Sequence, residues 1–192
     1  MRLFVAVELD EAVRIAAGRV ASDLRERLRR TGLDARWVAS ENLHLTLVFI
    51  GQVDDQAAAP FVAAVQRPFA VRPFWARLGH CGVFPPSGPA RVIWIGLADG
   101  EDVLRQVQEE VVRRLQPLGF EPERRPFSAH LTIARVRDLP RASAREARAI
   151  VTAMSVPATS CLVTRVTLFR SHLSPKGSRY EALGQGILAP GS

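Results

Sequence analysis

Two short segments carry the side chains best suited to acid–base chemistry: His44-Leu45-Thr46-Leu47 and, 86 residues further on, His130-Leu131-Thr132-Ile133. Side chains alternate between the two faces of an extended strand. Each histidine therefore shares a face with its threonine, while Leu45, Leu47, Leu131 and Ile133 point the other way, where a core can take them. Phosphoryl chemistry uses both exposed groups: a proton-transfer group near the reacting oxygens and a neutral hydroxyl that holds a nonbridging oxygen. An imidazole with its ordinary pKa near 6.5 populates both protonation states around neutrality. One neutral ring can then take a proton from water while a second, protonated ring gives one to a departing sugar oxygen. On a strained five-membered cyclic phosphate such a pair needs no metal. A single His-x-Thr among apolar neighbours also fits a plain core histidine; two copies at matching places are what point to chemistry.

The elements that must position these motifs follow from hydrophobic period. Arg2 to Leu9 reads as a strand, Glu11 to Arg30 as a helix ending in a turn at Gly32, and Leu43 to Ile50 as a buried strand ended by Gly51. Ala57 to Val65 reads as a short helix and Phe74 to Phe84 as a strand closed by Pro85 and Pro86. The order then returns. Arg91 to Leu97 is a strand, and Glu101 to Leu115 is a helix with Val103, Val107, Val111 and Leu115 on one stripe. His130 to Val136 is a strand, Ser143 to Met154 a helix, Cys161 to Phe169 a strand, and Tyr180 opens a last strand. Strands alternating with helices in two similar halves, residues 1–86 and 90–188, suggest one domain of two pseudo-symmetric lobes made by duplication, with Pro85 to Pro89 linking them. Each lobe would bring one histidine-bearing strand to a shared cleft.

At 192 residues and 47% hydrophobic content the chain can bury a core, and no apolar run approaches the roughly 18 residues of a membrane span. Cys81 and Cys161 are too few for a disulfide framework and form no metal-type pair; read as reduced and buried, they suggest the cytoplasm. The net charge of +7 and pI near 11.0 suit a polyanionic partner, although an arginine-rich composition with Lys176 as the single lysine is equally a solubilising surface. No cluster of Cys, Asp or Glu at ligand spacing surrounds either motif and no nucleotide-binding Gly-rich loop is present, so neither a metal nor another cofactor is expected.

The motifs sit in longer blocks: RLFVAVEL at the start, WVASENLHLTLVFIGQV, GVFPP followed by RVIWIGL, PFSAHLTIARV, and the closing VTLFRSHLSPKGSRYEAL. Nearly end to end, the chain resembles the two-histidine (2H) phosphoesterases, and among them the bacterial RNA 2',3'-cyclic phosphodiesterases, also called the 2'-5' RNA ligase family. The resemblance implies an α+β fold: a duplicated, bilobal arrangement of two antiparallel sheets lining a central groove, with helices outside. It implies a hydrolase that opens the 2',3'-cyclic phosphate of an RNA or oligonucleotide end to a 2'-phosphomonoester, with reverse 2'-5' ligation as the same chemistry run backwards. It assigns His44 as proton donor and His130 as acceptor, roles that the symmetry of the motifs leaves open.

Within the paired motif Thr46 and Thr132 are read as holding phosphate oxygens, and the resemblance places Arg135 near the phosphate. Arg135 follows His130 by five residues, the wrong parity for the same strand face, so this role requires a bulge or a strand end; its counterpart in the first motif is Phe49. Phe84, Trp37, Phe127 and Tyr180 are positional candidates for stacking on a base. His80 and His172 lack the following threonine and read as surface or structural. The chain is expected to act as a monomer and to bind no membrane. Two alternatives stand beside this reading: a phosphodiesterase for small cyclic nucleotides or ADP-ribose cyclic phosphate, and a noncatalytic RNA- or nucleotide-binding module.

Overall fold

The structure is a computed structural model, and its described residues are 1–174 and 177–189. Pro175 and Lys176 of the closing sequence block lie outside them. Among the described residues nine strands and four helices follow one another: β1 (Arg2–Glu8), α1 (Glu11–Leu28), β2 (Asp34–Trp37), β3 (His44–Gln52), α2 (Ala58–Gln66), β4 (Phe74–Phe84), β5 (Val92–Asp99), α3 (Glu101–Leu115), β6 (His130–Asp138), α4 (Ala144–Thr152), β7 (Ser160–Val163), β8 (Arg165–Ser174) and β9 (Gly177–Ile187).

Local chemistry sets the helix ends. Asp10, in extended geometry, accepts from the Val13 amide at 2.9 Å and caps α1. Val13, Ala17, Val20, Leu24 and Leu28 then form one buried stripe. A 3-10 turn over Arg29–Thr31 continues it and stops at Gly32, in the left-handed region at φ 70°. In α3 Val107, Val111 and Leu115 are buried as expected, and Leu104 completes the stripe in place of Val103, which is only half-buried.

The strands form one antiparallel sheet in the order β7-β4-β5-β6-β3-β1-β8-β9, with β2 pairing β6 beside β3. The α+β class, the antiparallel pairing and the outer helices are as expected; the two expected sheets are joined into one. The join is a single residue pair, Leu45 with Leu131, between the two motif strands. Both leucines are fully buried. One half of the sheet holds β1, β3, β8 and β9, the other β4, β5, β6 and β7. These halves exchange strands relative to the sequence: β4, from the first half of the chain, pairs β5, while β8, from the second half, pairs β1. Pro85 to Pro89 thus connects adjacent strands within one half of the sheet and does not link the two halves.

Several elements differ from the sequence expectation. The strand expected over Cys161 to Phe169 is two strands broken at Thr164, because β7 pairs β4 at one end of the sheet and β8 pairs β1 near the other. Strand β3 continues through Gly51, at φ 91°, to Gln52. Strand β2 has no counterpart among the expected elements. Helices α1 and α4 cover the β4–β7 half from outside, and α2 and α3 cover the other. The opposite, uncovered face of the sheet carries the motif side chains.

Candidate active site

The Leu45–Leu131 pair fixes how the motifs meet. Extending that antiparallel register by one residue each way sets His44 beside Thr132 and Thr46 beside His130. The two histidines are then diagonal neighbours, a spacing of roughly 7–8 Å between strand positions. The leucine between each His and Thr is buried beneath them.

The two imidazoles are held in the same way. His44 Nδ1 donates to the Asn42 carbonyl and His130 Nδ1 to the Ser128 carbonyl, each at 2.8 Å. A carbonyl can only accept, so the proton of each neutral ring sits on Nδ1 and Nε2 keeps its lone pair. Each ring also stands against aromatic walls. Phe4 and Tyr180 flank His44, with centroids at 4.9 and 5.1 Å; Phe84 meets His130 edge-on at 5.1 Å, and Trp94 lies at 6.5 Å. Burial pushes the His44 pKa below 6.5. The bond to the Asn42 carbonyl opposes that shift, and the positive charges of Arg135 and His130 add to it.

Arg135 reaches this face through a β-bulge. Along β5 the pairing steps from Ile93–Ala134 to Trp94–Thr132, leaving Ile133 as the extra residue. Ile133 and Ala134 are both buried, and Arg135 returns to the open face. The first motif strand bulges at the matching place: Val5 pairs Val48 and Ala6 pairs Thr46, which skips Leu47 and brings Phe49 to the same face. Arg135 and Phe49 are therefore structural counterparts, and the wrong parity in the sequence is corrected twice by the same device.

A cavity of about 430 Å³ is walled by His44, Thr46, Thr132 and Arg135 together with Phe49 and Tyr180. His130 is not part of its wall; the strand register places it beside Thr46. Two larger hollows, of about 980 and 660 Å³, contain no histidine and lie along α1; the larger carries the Arg30–Glu146 ion pair. The acid–base groups decide for the smaller cavity. Among the described residues no group of three or more His, Cys, Asp or Glu side chains is placed to hold a metal ion.

Of the aromatic candidates, Phe84 and Tyr180 are at the histidines, whereas Trp37 and Phe127 pack against the core. His80 is exposed with its ring edge-on to Trp94, and His172 bonds Glu181 at 2.7 Å across β8 and β9. Phe4, Trp94 and Asn42 were not singled out by sequence, and the exposed Phe49 was named only as the counterpart of Arg135. Phe4 and Trp94 had a legible signal, being aromatic positions in the otherwise aliphatic strands RLFVAVEL and RVIWIGL.

Residues 14–175 match the family described as the 2'-5' RNA ligase superfamily. The chain belongs to this superfamily. It is 34% identical over 172 residues to a protein of Aeropyrum pernix named RNA 2',3'-cyclic phosphodiesterase, covering 86% of this chain and 93% of that one. A protein of the same name from Thermotoga maritima is 32% identical over 184 residues, covering 95% and 93%. Among solved structures, one from Thermus thermophilus superposes with a TM-score of 0.80 at 28% identity, covering 99% of each chain. The structure of Escherichia coli LigT complexed with 3'-AMP gives 0.66 at 25% identity over 97% of each. Within the superfamily fold, the paired His-x-Thr strands of this member meet at the centre of the sheet.

Proposed function

We propose that this superfamily member is an RNA 2',3'-cyclic phosphodiesterase that opens the cyclic end to a 2'-phosphomonoester, with His44 and His130 as its acid–base pair. The observation that carries this is the meeting of two His-Thr pairs across Leu45–Leu131, each ring tethered through Nδ1 with its Nε2 left for proton transfer. The names of relatives at 32–34% identity over most of the chain agree with the substrate. In the reaction, the oxygen of water bonds to phosphorus and the P–O3' bond breaks. One neutral imidazole takes the proton of the water and the other, as imidazolium, protonates O3'. Thr46, Thr132 and Arg135 hold the nonbridging oxygens, the last through its charged fork.

With the donor role on His44 and the acceptor role on His130, the low pKa of His44 has a consequence. Burial disfavours the charged ring, whereas the negative charge of a bound phosphodiester favours it, so substrate binding and protonation of His44 support each other. An RNA 5'-hydroxyl in place of water gives a 2'-5' linkage by the same path. The acting unit is a cytoplasmic monomer of one domain with two lobes. No described helix is long and apolar enough to cross a membrane.

The test is to incubate an oligoribonucleotide ending in 2',3'-cyclic phosphate, and the matching cyclic mononucleotide, with the protein and EDTA. Conversion of the oligonucleotide to a 2'-phosphate is expected. Preference for the mononucleotide would favour a small-molecule phosphodiesterase, and salt-sensitive binding without turnover would favour a binding module.

A further inference from the structure

We infer that the side chain of Asn42 is a positioning element for His44, tying the orientation of that ring to the β8–β9 hairpin. The inference rests on His44 being an acid–base group of the reaction proposed above. Asn42 offers the carbonyl that accepts from His44 Nδ1 at 2.8 Å, and its own side-chain amide donates to the Ser178 carbonyl at 3.0 Å. Its backbone amide is also engaged, donating to the Ala39 carbonyl at 2.9 Å. With both ends of the residue held, rotation of its peptide, and with it the carbonyl that selects the His44 tautomer, is restricted. Ser178 belongs to β9, and two residues on, on the same strand face, Tyr180 meets the His44 ring edge-on. One strand thus fixes the imidazole twice, through Asn42 at its nitrogen and through Tyr180 packed perpendicular to the ring.

Among the described residues the other motif lacks this link. The segment before His130 is anchored to α3 instead, by Arg105 donating to the Phe127 carbonyl at 3.2 Å and by the Ala129 amide donating to Glu101 at 3.4 Å. Neither bond engages Ser128, the residue whose carbonyl holds His130, and Ser128 is exposed. The asymmetry predicts that loss of the Asn42 amide disturbs one ring and spares the other.

The Asn42→Ala variant should lose on the order of tenfold in kcat with KM changed less than about twofold, a modest loss for a misplaced acid–base group. The tether raises the His44 pKa, so its weakening should move the His44 limb of the pH profile to lower pH. Ring-nitrogen NMR should show the Nδ1-protonated population of His44 reduced and that of His130 unchanged, and Asn42→Gln, which can still donate, should recover part of both losses. Wild-type kcat per folded molecule in Asn42→Ala, or an unmoved His44 tautomer, would overturn the inference. Full activity in His44→Ala would instead overturn the catalytic reading, while the nitrogen spectra would still report on the tether.

Discussion

Replacing Arg135 by methionine keeps most of the aliphatic stem and removes the guanidinium, which isolates what the charge contributes. The residue lies on the open face because of the bulge at Ile133, lines the cavity that holds His44, Thr46 and Thr132, and among the described residues has no carboxylate in ion-pair range. A charge-assisted hydrogen bond contributes about 1.5–3 kcal/mol. Arg135 is solvent-exposed, which favours the lower half of that range, or roughly a 10- to 40-fold loss in kcat/KM at about 1.4 kcal/mol per decade. The charge of Arg135 also depresses the His44 pKa. Its removal raises that pKa, so the imidazolium persists to higher pH and the His44 limb of the rate profile moves upward. Arg135→Lys keeps the charge without the planar fork and should give an intermediate kcat/KM with the limb unmoved. Steady-state cleavage of a cyclic-phosphate oligonucleotide across pH reads both effects. A kcat/KM within twofold of wild type, with an unshifted profile, would refute the placement of Arg135 at the phosphate.

Three further outcomes follow from the packing. The folded-state pKa of His44 is depressed, so as pH falls the unfolded chain takes up its proton first; the stability that the neutral ring contributes is present above about pH 6.5 and is lost below it. His44→Gln should therefore flatten the fall in melting temperature on acidification through that range, as read by calorimetry. A Cβ on Gly82 would lie 2.2 Å from Trp94 Cζ2, so Gly82→Ala should displace the indole that faces His130, cost about 1–3 kcal/mol in denaturant unfolding and reduce turnover. Arg114 donates to the carbonyls of Ala64, Arg67 and Pro68, pairs with Glu110 and lies over the Phe69 ring at 3.8 Å. With only 11% of its side chain exposed, Arg114→Ala should cost about 3 kcal/mol and lower the melting temperature by roughly 6–12 °C, with kcat per folded molecule unchanged.

Legibility in the sequence tracked how local each cause was. The His-x-Thr strands were readable because alternation needs only the strand itself, and the bounds of β4 and α3 were readable because prolines, glycines and a helical stripe mark them. The bulges that turn Arg135 and Phe49 to the open face depend on which residue of a distant strand stands opposite, and nothing local encodes that. The break at Thr164 is of the same kind. CLVTRVTLF is a continuous strand-forming run, and it divides because its two parts find partners near opposite ends of the sheet. The exchange of β4 and β8 between halves was hidden for that reason as well. Asn42 was hidden differently: its sequence neighbourhood shows a loop before a strand, and its role depends on Ser178, 136 residues away.

The most direct measurement is single-turnover cleavage of a cyclic-phosphate oligonucleotide by His44→Ala and by His130→Ala, at equal concentrations of folded protein and with chelator present. Each loss should fall in the range of about 10²- to 10⁴-fold, the usual contribution of one acid–base group, with substrate still bound. Near-wild-type cleavage by either variant would contradict the pairing of the two imidazoles on one phosphorus.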